Sequence, residues 1–222
     1  MRGAIFDLDG TIVDNMPIHL EAFAIFAERH GLPPLTIDDR KRLDGRRNRD
    51  IFPDLFRRPL SDPEHRAFAD EKESLYRTLS RGRLSLSPGF ERLLARLNAR
   101  GIPAAIATSA PPENVEHSLV ELGLTSRLTC IVRSDQVARG KPFPDVFLAA
   151  ADRLGVPPAD CVAFEDAPAG IQAARAAGMQ TVAMTTSFGP DVFRMPDVAA
   201  DVIVHDFDEY LAGAGASLLD GI

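Results

Sequence analysis

The stretch Phe6-Asp7-Leu8-Asp9-Gly10-Thr11 closes a short apolar run, Ala4-Ile5-Phe6, with two carboxylates two positions apart. Side chains alternate along a strand, so Asp7 and Asp9 point the same way from the carboxyl end of a buried strand. In open α/β sheets that end faces the crevice where ligands bind. Packing gives no reason to put acids there. Chance accounts for an acidic Asp-Gly turn, but poorly for DLDGT directly after an apolar strand.

Further short apolar runs lie at 104–107, 130–132, 161–164, 181–184 and 202–204, separated by amphipathic stretches of helix length. That alternation predicts an α/β fold with a mostly parallel sheet. Three predicted helices stop at Gly101, Gly155 and Gly178, each followed shortly by a strand. Between Asp14 and Gly82 the rhythm is lost and the chain reads as amphipathic helices. Leu20, Phe23, Ala24, Phe26 and Ala27 form an apolar stripe. Thr36 with Asp39 resembles a capping box opening a helix that Gly45 closes, and Asp62-Pro63-Glu64 starts another running to about Leu79. The expected organisation is a Rossmann-like parallel-sheet core, residues 1–13 and 83–222, with an inserted all-helical cap, 14–82. Hinges are expected near 12–16 and 81–88. The tail LAGAGASLLDGI, rich in Gly and Ala, is expected to fray.

A chain of 222 residues with 45% hydrophobic and 26% charged residues fits one substantial core plus an appendage, and excludes a disordered, collagenous or coiled-coil protein. Its formal charge of -7 argues against generic binding to nucleic acid or anionic membrane. No apolar run approaches the roughly 20 residues of a membrane span, and nothing resembles a signal peptide. Cys130 and Cys161 lack zinc-site spacing and read as reduced thiols. A soluble, cytoplasmic protein, monomeric by default, is expected.

The second predicted strand ends in Thr108-Ser109 and the fourth in Glu165-Asp166. In a parallel sheet these hydroxyls and acids emerge at the same edge as Asp7 and Asp9. Four carboxylates in one cleft repel unless a cation sits among them, and all-oxygen ligands favour Mg²⁺. Lys141, between Gly140 and Pro142, could balance carboxylates and a phosphate, although a lone loop lysine is most often solvated.

Taken in order, FDLDGT, AIATSA, GKPFPD and FEDAPAGIQAARAAG resemble the haloacid dehalogenase superfamily of phosphotransferases over essentially the whole chain. The insert after FDLDGTIVD looks like the cap of the branch that holds β-phosphoglucomutase and many small-molecule phosphatases. The resemblance implies that Asp7 is the nucleophile that forms an aspartyl-phosphate, and that Asp9 is the general acid and then base. Thr108, Lys141 and backbone amides near Gly10 and after Ser109 would hold the phosphoryl group. Mg²⁺ would sit on the Asp7 carboxylate, the Asp9 backbone carbonyl and Asp166, with Glu165 a ligand or a supporting neighbour. Asp9 favours phosphoryl transfer, since the dehalogenases in general lack this second aspartate. To act first as an acid it must be protonated, which desolvation by a closing cap would favour.

Arg40-Lys41-Arg42-Leu43-Asp44-Gly45-Arg46-Arg47-Asn48-Arg49 is strongly basic within an acidic chain. Arg40, Lys41 and Arg42 read as a solvated helix face. Arg46, Arg47 and Arg49, after the glycine, read equally as a solvated segment or as a loop meeting the polar part of a phosphorylated substrate. His19 matches a cap histidine of the branch's mutase. Asp44 stands where that mutase has a lysine, Asn48 at its downstream arginine and Asn15 at its hinge threonine. The resemblance therefore implies first a Mg²⁺-dependent phosphatase of a small phosphorylated metabolite of sugar-phosphate type. A β-phosphoglucomutase-type phosphohexomutase comes second, and a non-catalytic binding module last.

Overall fold

The computed structural model describes residues 1–213. Strands β1 (Gly3–Phe6), β2 (Ala104–Thr108), β3 (Ile131–Arg133), β4 (Cys161–Glu165), β5 (Gln180–Met184) and β6 (Val202–Val204) form one sheet in the order β3-β2-β1-β4-β5-β6. Every pairing is parallel, with Phe6 level with Ile106 on one side and Phe164 on the other. The expected α/β Rossmann-like fold is present, and each of the six apolar runs coincides with a strand to within a residue at either end. Gly101, Gly155 and Gly178 all take the left-handed conformation that ends a helix before its strand.

The sheet is covered on both faces, as parallel sheets require. On one face Phe6 stacks on Phe164 at 4.7 Å, with Phe90 of α5 (Phe90–Ala99) and Phe207 of α9 (Phe207–Ala212) packed around them. On the other, Ile5 and the small residues Ala105, Ala107 and Ala163 meet Val146, Phe147 and Ala150 of α7 (Asp145–Leu154) and Ala173 and Ala174 of α8 (Pro168–Ala176). Helix α6 (Pro112–Glu121) follows β2.

Between β1 and α5 the chain runs through α1 (Met16–Arg29), α2 (Ile37–Leu43), α3 (Asn48–Phe56) and α4 (Asp62–Ser80). This insert has its own core, in which Phe26, Phe52, Phe56 and Phe68 pack together. Its two connections run side by side: Val13 bridges Leu86 in antiparallel fashion, Asp14 N–H donates to Ser85 O and Ser87 N–H to Ile12 O. The anticipated capping box of Thr36 with Asp39 forms, and the helix expected to start at Asp62 opens on a second one that was not anticipated, Ser61 with Glu64. Helix α3 was not anticipated: Pro53 lies inside it, and the preceding arginines read as loop. Arg49 consequently sits in its first turn.

No helix among the described residues is long and apolar enough to cross a membrane. Cys161 is buried, Cys130 partly so, and both are free thiols. Of the tail expected to fray, Leu211 and Ala212 close α9, and 214–222 lie outside the described residues.

Candidate active site

Asp7 follows β1, Thr108 ends β2 and Glu165 ends β4, and these strands are neighbours with β1 between the other two. Strand order reverses at β1, which opens the crevice in which doubly wound sheets bind ligands. Lys141, from the segment between β3 and α7, is fully buried there and donates to Asp7 Oδ1 and to Glu165 Oε1, each at 2.5 Å. The carboxylate oxygens of Asp7, Glu165 and Asp166 all lie within 4.8 Å of one another.

One ammonium among three buried carboxylates leaves the cluster over-negative. Burial pushes Asp7 up to about 8, with Lys141 pulling against it and the Glu165 and Asp9 charges adding to it. Burial and the charges of Glu165 and Asp7 hold Asp166 well above the usual carboxylate range. Burial would lower the Lys141 ammonium, but Asp7 and Glu165 more than offset it and keep it above its ordinary value. Such an all-oxygen, over-negative set fits a hard divalent cation. Glu165 is already committed: besides Lys141 it accepts from Asp166 N–H and Ala167 N–H, both at 3.2 Å. Asp7 and Asp166 are therefore the carboxylates left for a cation, and Glu165 holds the lysine. A Cβ at Gly10, where φ is 76°, would overlap the Asp166 carboxylate, so glycine is what lets Asp166 close in. Ser187 donates to the other side of Asp166 through its hydroxyl.

The Asp9 carboxylate faces elsewhere. Its Oδ1 accepts from Asn15 Nδ2 at 2.7 Å and lies 3.5 Å from His19 Nε2. Lys72 Nζ sits 3.4 Å from His19 Nδ1. Desolvation was expected to protonate Asp9. Burial does raise it, but His19, with its charge and hydrogen bond, and the Asn15 hydrogen bond outweigh burial and hold Asp9 below the ordinary range.

Thr108 Oγ1 accepts from Ala110 N–H at 3.0 Å, which leaves its own proton for a phosphoryl oxygen. Ser109 lines the pocket but spends its proton on Gly45 O at 2.7 Å, tying the sheet edge to the insert. The Gly10 N–H is likewise spent, on Val13 O at 2.8 Å and Asn15 Oδ1 at 3.0 Å. The Ser109 hydroxyl and the Gly10 N–H are thus occupied, and of the amides after Ser109 expected to hold phosphate, Ala110 N–H is bound to Thr108 Oγ1.

Asp7, Asp9, Thr108 and Asp166 share one pocket with His19, Asn48, Lys72 and Glu73 of the insert. Of the three arginines expected to meet substrate, only Arg46 lines it. Arg47 reaches Asp50 at 2.7 Å and Ser134 O at 3.3 Å, packing over Gly140, and Arg49 pairs with Asp62 on the surface. Local acids, two of them in α3, have captured these charges. Arg40 is not on a solvated face either: it pairs with Asp44 at 2.9 Å and lies 5.1 Å from the Phe188 ring centroid.

Sequence reasoning missed the roles of Asn15, Glu73 and Asn114. Asn15 is fully buried, its Nδ2 donating also to Tyr76 OH at 2.5 Å. Glu73 is 6% exposed and Asn114 1%. One signal was present: Ala69, Lys72, Glu73, Tyr76 and Ser80 share a face of α4 at helical spacing, so two charges stand on its inward stripe.

A haloacid dehalogenase-like hydrolase family model matches residues 1–178. Hexitol phosphatase A of Escherichia coli (strain K12) is 34% identical, the match covering 94% of this chain and 92% of that protein. The β-phosphoglucomutase of Bacillus subtilis (strain 168) is 31% identical over 95% of this chain and 97% of its own. Among solved structures, a family IA variant 3 hydrolase from Entamoeba histolytica superposes with a TM-score of 0.85 at 29% identity, over 99% of both chains.

Proposed function

The chain belongs to the haloacid dehalogenase-like hydrolases, and from that premise we propose that it is a Mg²⁺-dependent phosphatase of a small sugar or polyol phosphate, using Asp7 as nucleophile. The observation that carries this reading is the buried Lys141 ammonium, bonded at once to Asp7 and Glu165 in the crevice that Thr108 and Asp9 also border. We assign residues 1–13 and 83–222 to the catalytic core and 14–82 to its cap.

Lys141 fixes Oδ1 of Asp7, leaving Oδ2 to attack phosphorus. The P–O bond to the sugar breaks as the bond to Asp7 forms, and the departing alkoxide takes a proton from Asp9. Asp9 then accepts a proton from water as that water attacks the aspartyl-phosphate, releasing inorganic phosphate and restoring Asp7. The depressed pKa of Asp9 suits the second step. For the first, the negative charge of bound phosphate beside Asp9 raises its pKa and supplies the protonated form. Lys141 and the Thr108 hydroxyl stabilise charge on the phosphoryl oxygens. Mg²⁺, held by Asp7, Asp166 and the Asp9 backbone carbonyl, would supply further neutralisation of that charge.

The test is phosphate release with Mg²⁺ from a panel of sugar and polyol phosphates and p-nitrophenyl phosphate. Phosphate should be released by the parent protein and not by Asp7→Asn. Turnover surviving in Asp7→Asn would overturn the mechanism. The similarity to a β-phosphoglucomutase supports a second reading; conversion of β-glucose 1-phosphate to glucose 6-phosphate without phosphate release would establish it.

A further inference from the structure

A second polar cluster on the pocket wall takes no part in the steps above. Glu73 Oε1 accepts from Lys72 Nζ at 2.9 Å and Asn48 Nδ2 at 2.6 Å, and Oε2 from Asn114 Nδ2 at 2.6 Å. Asn114 is itself held by Arg77, whose Nη1 donates to Oδ1 at 2.8 Å. The cluster therefore joins α3 and α4 of the insert to the first turn of α6 beside the sheet. Glu73, Lys72, Asn48 and Asn114 all line the pocket.

A carboxylate offers about four acceptor sites and an ammonium three donors. Three acceptor sites of Glu73 are taken. Lys72 serves Glu73 and His19 among the described residues, so one donor of Lys72 and one acceptor of Glu73 remain on the same wall. One donor beside one acceptor complements a hydroxyl, which both gives and takes a hydrogen bond. It opposes a phosphate dianion, which only accepts and would face the Glu73 charge. The arginines that could receive a second phosphate are spent: Arg47 and Arg49 point elsewhere, and Arg46 commits its Nη atoms to Arg42 O, Asp50 O and Asp54. Of these three arginines, Arg46 alone keeps a buried nitrogen without a partner among the described residues, its Nε, a single N–H rather than the fork that grips phosphate.

We propose that Glu73, supported by Lys72, Asn48 and Asn114, reads a hydroxyl on the alcohol part of the substrate, restricting the enzyme to polyhydroxylated monoesters without a second phosphate. This rests on the phosphatase reading above. A site that pairs a buried polar group with a substrate hydroxyl penalises the analogue lacking it by large factors, up to about 10⁴–10⁵ in the best cases, and about 10² is expected for one shared hydroxyl.

The experiment compares kcat/KM for sorbitol 6-phosphate, n-hexyl phosphate, fructose 1,6-bisphosphate and p-nitrophenyl phosphate in the parent protein, Glu73→Gln and Asn48→Ala. Sorbitol 6-phosphate and hexyl phosphate share a primary alkoxide leaving group and differ in hydroxyls. The parent should prefer the former by about 10², and disfavour the bisphosphate by at least about tenfold. In Glu73→Gln the preference should shrink about tenfold or more, chiefly through KM. Asn48→Ala, which removes a donor to Glu73, should narrow the same preference and keeps the test decisive if Glu73→Gln fails to fold; an unchanged preference there would overturn the proposal. Equal use of the two monoesters, equal loss on both in Glu73→Gln, or preference for the bisphosphate would each overturn the proposal. No turnover of any probe, p-nitrophenyl phosphate included, would remove the phosphatase reading and this inference with it; turnover with the wrong ratios removes this inference alone.

Discussion

A buried asparagine must satisfy its amide inside the protein, and Asn15 does so entirely on the site: Oδ1 accepts from Gly10 N–H, and Nδ2 donates to Asp9 and Tyr76. It thereby fixes both the turn after β1 and the orientation of Asp9. Asn15→Ala should lower kcat about tenfold to a hundredfold, a share of the ~10²–10⁴ that positioned acid–base catalysis supplies. The loss should be greater for an alkyl phosphate than for p-nitrophenyl phosphate, whose leaving group needs less protonation; an equal loss on both would show that Asn15 serves only the fold. Asp7, Asp9, Thr108, Glu165 and Asp166 were legible because each lies at or near a strand end in a run with no packing rationale, whereas Lys141, in the loop between β3 and α7, was legible only through the order of the four motifs. Asn15, Glu73 and Asn114 were not, because a polar residue on a helix or turn reads as solvated until its distant partner is known. Glu73 and Asn114 are 41 positions apart. The arginines misled for the converse reason: a positive run predicts charge, but not that Asp50, Asp54 and Asp62 would claim it.

Strands were the most legible elements, because a strand buried on both faces is a continuous apolar run bounded by breakers. Helix α3 escaped because Pro53 interrupts its pattern: it is an interior residue of the helix, past the first turn where a missing N–H is tolerated. The Thr36–Asp39 capping box was legible from spacing alone, the Ser61–Glu64 box only as a helix start, and both carry testable electrostatics. Thr36 and Arg42 hold Asp39 down at about 2, and Arg58 with Ser61 holds Glu64 at about 2. For an acid depressed in the folded state, the unfolded chain binds more protons at low pH, so stability falls as pH falls. The contribution is full above the ordinary values of 3.8 and 4.5 and lost as pH drops toward about 2. Glu64→Gln should therefore flatten the acid side of a stability profile between about pH 4.5 and pH 2. Ser61→Ala should cost about 1 kcal/mol in urea denaturation at pH 7. A profile for Glu64→Gln that overlays the parent's would show the box to be solvated in both states.

At the scale of the molecule, the fold places two separately packed bodies against one pocket, the sheet supplying reactive groups and the insert supplying the wall. Ser109 to Gly45, Arg47 to Ser134 and Glu73 to Asn114 all cross between them. The sheet's cluster of Asp7, Glu165 and Asp166 has a single ammonium, so it destabilises the metal-free protein and should be relieved by a divalent cation. A ligand binding only the native state stabilises it by about 2.7 kcal/mol at a hundred times its Kd. For a chain of this length that corresponds to a rise in Tm of roughly 5–10 °C. Asp166 is held well above the usual carboxylate range, so Asp166→Asn removes the cost of ionising a buried acid beside Glu165 and Asp7, and the variant should melt at or above the metal-free parent. It should also lose most of the Mg²⁺ response, since Glu165 is committed to Lys141 and backbone amides and cannot substitute. Scanning calorimetry of both proteins with and without Mg²⁺ separates the alternatives. A parent that gains nothing from saturating Mg²⁺ would mean that Lys141 alone balances the cluster. A full response in Asp166→Asn would mean that the cation is held by other oxygens than those assigned.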